Sequence, residues 1–128
     1  LEALAGGKGR QAIEQAFAQI AAHETEIGER LLSWLRMRNG VRIFGHRTSE
    51  ASLRVPTISF TVDGRSPQEI VAKIDDARIG VRHGDFHSRR LAETLGLAPA
   101  GVIRASLVHY NTVEEVDRLI TVLDRQLR

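Results

Sequence analysis

The period of the apolar positions changes several times along this chain, and each change marks an element boundary. Over residues 10–38, Ile13, Phe17, Ile20, Ile27, Leu31 and Leu35 recur in steps of three, four or seven, with Ala12, Ala16 and Ala21 beside them. That spacing predicts one long amphipathic helix of roughly 40 Å, at 1.5 Å per residue. His23, Glu24 and Glu26 interrupt the stripe, as a solvated face, a slight bend or a pivot between domains would. Asn39-Gly40 stops the helix, since both residues tolerate the left-handed cap. Val41, Ile43 and Phe44 around Arg42 then alternate as a half-buried strand does, and residues 45–52 form a polar loop.

Arg54 leads into V-P-T-I-S-F-T-V over residues 55–62, a β-branched run whose proline fits an edge or the first residues of a strand. Asp63-Gly64 turns the chain, and Ser66-Pro67-Gln68-Glu69 reads as a capping box with proline at the first helical position. Ile70, Val71 and Ile74 define the buried side of a short helix ending near Arg78, and Ile79-Gly80-Val81-Arg82 reads as another short strand. A loop over residues 83–88 and a helix over residues 88–95, stopped by Gly96, follow. Gly101 opens a last strand through Val102, Ile103, Leu107 and Val108. Thr112 and Glu115 then make a second capping box for a helix that runs to the C-terminus. The order predicts an α+β fold: a small mixed or antiparallel sheet of about four strands, with helices packed mostly on one face and a long N-terminal helix.

At 128 residues the chain is about one domain. Its 18 basic and 16 acidic residues are spread evenly, and sixteen arginines against two lysines, rather than a basic patch, set the high pI of 9.7. A nucleic-acid surface is therefore not expected. No apolar run approaches the roughly 18 residues of a membrane span, and no secretory leader is visible. Residues 1–9, which lack an initiator Met, read as a flexible lead-in cut from a longer chain. Lys8 among Gly6, Gly7 and Gly9 lacks the G-x-x-x-x-G-K-[ST] spacing of a phosphate loop. The absence of cysteine excludes disulfides, thiolate metal sites and a cysteine nucleophile, and leaves the redox compartment open.

Two regions carry polar residues that periodicity does not explain. His83, Asp85 and His87 alternate as metal ligands on a strand do, although Gly84 breaks that strand and loop histidines are more often solvated. Arg104 sits mid-strand, with Ser106 on the same face. A guanidinium there needs a partner, since an unpaired buried charge costs several kcal/mol, roughly. Its planar fork suits a carboxylate, so an ion pair with an acidic neighbour and an anion site both stay open.

The run R-A-S-L-V-H-Y-N-T-V-E-E-V-D-R-L over residues 104–119 resembles the C-terminal signature of class V pyridoxal-phosphate enzymes, the cysteine desulfurase, selenocysteine lyase and isopenicillin-epimerase-like group. His23-Glu24, G-V-R-I-F-G at residues 40–45, R-V-P-T-I-S-F at 54–60 and I-G-V-R-H-G at 79–84 extend the resemblance over nearly the whole chain. It implies that residues 10–128 are the small C-terminal domain of a fold-type I aminotransferase-like transferase or lyase, with the large cofactor domain absent.

On that resemblance Arg104 grips the α-carboxylate of an amino-acid substrate. The loop over residues 82–88 closes over it, with His87 and His83 as possible polar contacts. Pyridoxal phosphate is implied for the full-length enzyme and not for the isolated chain, because neither Lys8 nor Lys73 has the setting of a Schiff-base lysine. The partners implied are the large domain of the same polypeptide and, at full length, a second copy in a cytoplasmic homodimer, with no nucleic acid or membrane.

Suf-type desulfurases carry R-x-G-x-H-C-A where this chain reads Arg82-His83-Gly84-Asp85-Phe86-His87-Ser88. His87 stands in the cysteine's place, so no persulfide forms on this chain, which is closer to the desulfurase-like branch lacking that cysteine. The competing reading is a freestanding α+β interaction or dimerisation module without catalysis, with Arg104 permanently paired to a carboxylate.

Overall fold

The computed structural model describes residues 8–127. Its elements follow the predicted order: α1 (Gly9–Arg36), β1 (Val41–Phe44), β2 (Thr57–Val62), α2 (Pro67–Asp76), β3 (Arg82–Gly84), α3 (Arg89–Thr94), β4 (Val102–Ser106) and α4 (Val113–Leu127). The strands make one sheet in the order β1-β2-β4-β3, with every neighbouring pair antiparallel. Of the two sheet types expected, antiparallel is the one present. Strands β2 and β3 run parallel to each other, α2 crosses between them, and β4 fills the gap, a split β-α-β arrangement.

Register sorts the side chains by face. Ile43, Phe60 and Ile103 lie abreast, as do Ile58 and Ala105, and all but Ile43 are essentially sealed from water. Against them pack Ile27, Leu31 and Leu35 of α1, Ile70, Val71 and Ile74 of α2, and Val116, Leu119 and Leu123 of α4. Burying each such side chain contributes about 1.5–3 kcal/mol, so this three-helix layer is the main apolar stabilisation of the sheet. The opposite face carries Arg42, Phe44, Ser59 and Arg104, with α3 as its only helical cover among the described residues.

Of the two predicted capping boxes, the one at Thr112 forms in full and the one at Ser66 by its hydroxyl half. Thr112 Oγ1 accepts from the Glu115 amide at 3.2 Å while Glu115 Oε2 accepts from the Thr112 amide at 3.0 Å. At Ser66 the hydroxyl accepts from the Glu69 amide, with Pro67 at the first helical position. The lead-in is a mixed case: residues 1–7 lie outside the described residues, whereas Gly9 already belongs to α1.

Strand β4 ends at Ser106, short of the expected Leu107 and Val108, and three further features depart from the periodicity reading. Helix α1 stops at Arg36 rather than Arg38, because Arg38 turns to pair with Asp124 and lies over the Trp34 ring at 4.7 Å. Its first half does not reach the sheet, so Ile13 and Phe17 stay 42% and 57% exposed. Strands of five or six residues span only about 17–20 Å, less than half of this helix. His23 marks the divide: its Nε2 donates to the Asn111 carbonyl at 2.7 Å and ties α1 to the entry of α4, and α1 passes through it unbroken. The third departure is β3, expected over residues 79–82 and found over 82–84. Ile79 and Val81 send their side chains toward the core, but their amides are taken by Ile74 and Ile79 carbonyls in turns, so pairing with β4 starts only at Arg82.

The loop over residues 45–56 is pinned by charge. Glu29 accepts from the Ser49 amide at 3.0 Å and from Arg36, which also donates to the Arg47 carbonyl; Arg54 donates to the His46 and Thr57 carbonyls. Burial alone would raise the Glu29 carboxyl, but hydrogen bonds from Arg36, Ser49 and Ser33 outweigh it and hold the group below its ordinary value. Ser49 is buried against Gly28, where a Cβ would stand 2.4 Å from its hydroxyl.

Two outcomes are expected. Gly101 has φ +73 and a Cβ there would meet the Gly84 carbonyl at 2.2 Å, so Gly101→Ala should cost about 1–3 kcal/mol or more in urea unfolding; an unchanged midpoint would contradict the close approach. Because the folded-state Glu29 value is depressed, its contribution is present above the ordinary carboxylate range and lost as pH falls through the folded value. The protection factor of the Ser49 amide, its exchange rate corrected for the intrinsic pH dependence, should therefore fall on acidification below that range, and Glu29→Gln should lower it already at neutral pH. Equal protection in the variant would refute the pinning.

Candidate functional site

Strand β4 runs between β2 and β3, and its alternation sends Ile103 and Ala105 into the core and Arg104 to the other face. The cross-strand neighbours of Arg104 are Ser59 on β2 and Arg82 on β3. Neither is acidic. Among the described residues no carboxylate pairs with Arg104, and its buried Nε has no hydrogen-bond partner. An unsatisfied buried donor costs about 1–3 kcal/mol, more when charged. Of the two uses left open by the residue pattern, a permanent ion pair is not what the fold provides.

What does hold the guanidinium is an aromatic ring. The carbon at the centre of the Arg104 fork lies 3.8 Å from the Phe86 ring centroid, a cation–π stack that contributes from about 0.5 to 2 kcal/mol as water is excluded. Phe86 reaches that place through an unusual backbone: Phe86 and His87 both adopt left-handed conformations, with φ of 50° and 65°. Such positions cost on the order of 1–3 kcal/mol each. Asp85 supports the turn, its side chain accepting from the His87 amide at 3.0 Å and its carbonyl from the Ser88 amide at 2.9 Å.

Beside Arg104 lies a cavity of about 200 Å³ between the sheet and α3. Phe44, Phe86, Leu91, Leu95 and Val102 are among its walls, and the loop contributes Asp85, Phe86 and Ser88 to it. Neither candidate histidine lines it. His83 is exposed and sits opposite Ile103, on the helix-covered side of the edge strand, while His87 is exposed in the turn. Ser106 shares a face with Arg104 by register but borders a different cavity, of about 180 Å³, where Arg78, Glu115 and Arg118 also lie. His83, Asp85 and His87 do not converge: among the described residues no three metal-ligating side chains come together.

The residue that periodicity missed is Phe86. An aromatic in a polar loop has no spacing signal, and only its stack on Arg104 marks it. The two lysines of the sequence are remote in kind from this site. Lys73 is exposed on α2, a helix on the other face of the sheet, and Lys8 precedes α1 and is exposed.

The family model described as Aminotransferase class-V matches residues 7–119. An "Aminotransferase-like protein FGM3" of Gibberella zeae is 42% identical over 116 residues, which are 89% of this chain and 29% of that protein. A "Probable cysteine desulfurase 2" of Mycobacterium leprae is 38% identical over 108 residues, 84% of this chain and 25% of the relative. The apo structure of a cysteine desulfurase from Thermococcus onnurineus matches with a TM-score of 0.78 at 27% identity, covering 92% of this chain and 28% of that one. The chain thus spans under a third of the length of these relatives. With the family model matching most of its residues, and the fold recurring in a solved relative, the chain belongs to the aminotransferase class-V family.

Proposed function

We propose that the chain is the small C-terminal domain of a pyridoxal-phosphate-dependent enzyme acting on an amino acid, and that Arg104 receives the substrate's α-carboxylate. Class V aminotransferases and cysteine desulfurases are pyridoxal-phosphate enzymes, and the chain covers only a minor part of each relative. Its own residues do not fit the cofactor, because Lys73 is exposed on α2, on the other side of the sheet from Arg104, and Lys8 is exposed at the N-cap of α1, so neither has a walled setting for a Schiff base. The cofactor is assigned to the rest of the polypeptide, and this chain alone is assigned no catalysis. The complete enzyme is taken to be a homodimer.

The single observation that carries the reading is the buried Arg104 Nε, left without a hydrogen-bond partner on the sheet face that α3 and the turn at residues 85–88 cover. A carboxylate approaching it accepts from Nε and one terminal nitrogen in parallel, which satisfies the buried donor and fixes the plane of the carboxylate. Phe86 holds the fork flat while this happens, so the substrate's α-carbon is oriented rather than merely attracted. The loop over residues 82–88 is the proposed lid, with His87 and His83 as its polar groups; both are exposed and off the cavity, so this role has the loop move when substrate binds. No described residue supplies the permanent carboxylate on Arg104 that a freestanding interaction module calls for.

Since the chain holds no cysteine, sulfur transfer through a thiolate of this domain is excluded. Among the chemistries of such enzymes, transfer and elimination on an amino acid are compatible with what these residues do, which is to bind and orient.

In the complete enzyme, Arg104→Lys should weaken amino-acid affinity roughly ten- to a hundred-fold, the value of one charge-assisted hydrogen bond at about 1.5–3 kcal/mol. Unchanged affinity with intact folding would sink the carboxylate role. Phe86→Ala should raise KM by roughly two- to thirty-fold, matching the cation–π contribution of about 0.5–2 kcal/mol, with little effect on kcat. An unaltered KM would show that the stack does not position Arg104.

A further inference from the structure

The cavity at Arg104 has walls of a kind that a carboxylate alone does not need. Six of its lining side chains, Phe44, Phe86, Leu91, Leu95, Leu97 and Val102, are large and apolar, and they come from β1, from α3 and the residues just after it, from β4, and from the turn between β3 and α3. Leu91 and Leu95 are four residues apart, hence on one side of the α3 turn, and Leu91 is 59% exposed. It is too open to serve the core and lies outside the main cluster of buried residues.

At about 200 Å³ the space is smaller than the roughly 300–1,000 Å³ of pockets that enclose a drug-sized molecule. It exceeds the cavity of about 150 Å³ that holds a benzene ring in an apolar protein interior. One branched or aromatic side chain fits. Asp85 is the acidic group at this cavity, so a second carboxylate on the ligand would meet like charge there.

Resting on the carboxylate reading of Arg104, we propose that this cavity takes the side chain of the same substrate. The ligand class is then a carboxylate carrying a branched-aliphatic or aromatic group, in preference to a thiol or a second acid. Arg104 fixes one end, and the distance from the fork to the Leu91–Leu95 wall selects the other. Each methylene placed in such a pocket changes affinity by roughly ten- to two-hundred-fold.

The test is a titration of the 128-residue chain, labelled with ¹³C at the Ala92 methyl, with acetate, 4-methylpentanoate, 3-phenylpropanoate and succinate. Ala92 lines the cavity and is buried, and the amide of Ile103 reports that the fold is intact. The two apolar acids should move the Ala92 signal and bind at least roughly ten-fold tighter than acetate. Succinate should gain nothing over acetate, and Leu91→Asn should shrink the advantage to under about threefold. Equal affinities across the series, all lost in Arg104→Gln, would overturn the side-chain pocket and leave the carboxylate site standing. If no acid binds, or if all bind Arg104→Gln as well as the parent, the carboxylate reading itself falls and this inference with it.

Discussion

Residues of β4 alternate between two surfaces that tolerate opposite chemistry, and that alternation is the constraint on which the site depends. Ile103 and Ala105 are sealed beneath three helices, while Arg104 between them faces the side of the sheet that only α3 and the turn before it cover among the described residues. A register slip of one residue would drive the guanidinium into the core and lift two apolar side chains out, at a cost of several kcal/mol in desolvation, roughly. Placement between β2 and β3 gives β4 pairing on both edges, and Gly101 at its start approaches the Gly84 backbone too closely for any side chain. The strand that carries the arginine is thus, with β2, one of the two held on both edges.

The neighbours of Arg104 across the sheet, Ser59 and Arg82, offer its buried Nε no acceptor. Several other arginines find acceptors: Arg30 with Asp117, Arg36 with Glu29, Arg54 with two loop carbonyls, and Arg38 with Asp124 through a terminal nitrogen, although the buried Arg38 Nε has none. Arg104 instead receives a flat aromatic surface from Phe86, delivered by two successive left-handed residues. Strain at Phe86 and His87 and a missing acceptor at Arg104 are two costs in one place, and a bound carboxylate would offset the second of them.

Much of the scaffold could be read from residue spacing, because its causes are local. Thr112 with Glu115 and Ser66 with Pro67 announce helix starts through hydrogen bonds made within four residues, and the order of all eight elements follows from period changes. The parts that were not visible have distant causes. Ile13 and Phe17 obey helical spacing yet stay exposed, since the sheet is too short to reach them. The β3 register depends on turn bonds that take the amides of Ile79 and Val81. At the site, Arg104 stands out as a charge in mid-strand, whereas Phe86 has no signature until the loop has folded. His83 and His87 are polar residues in a suggestive loop, but neither lines the cavity beside Arg104.

Family membership and local geometry bear on different questions here. The class V match and the shared fold place the chain in its family; the buried Arg104 Nε without an acceptor is the observation behind the proposed carboxylate site. The most direct measurement is the Nε–H resonance of Arg104 in ¹⁵N-labelled protein as a carboxylate is added. A saturable downfield shift with slowed solvent exchange is the result that fits a carboxylate seated on the fork. A resonance that stays unmoved, while the Ile103 amide shows the sheet intact, would contradict it.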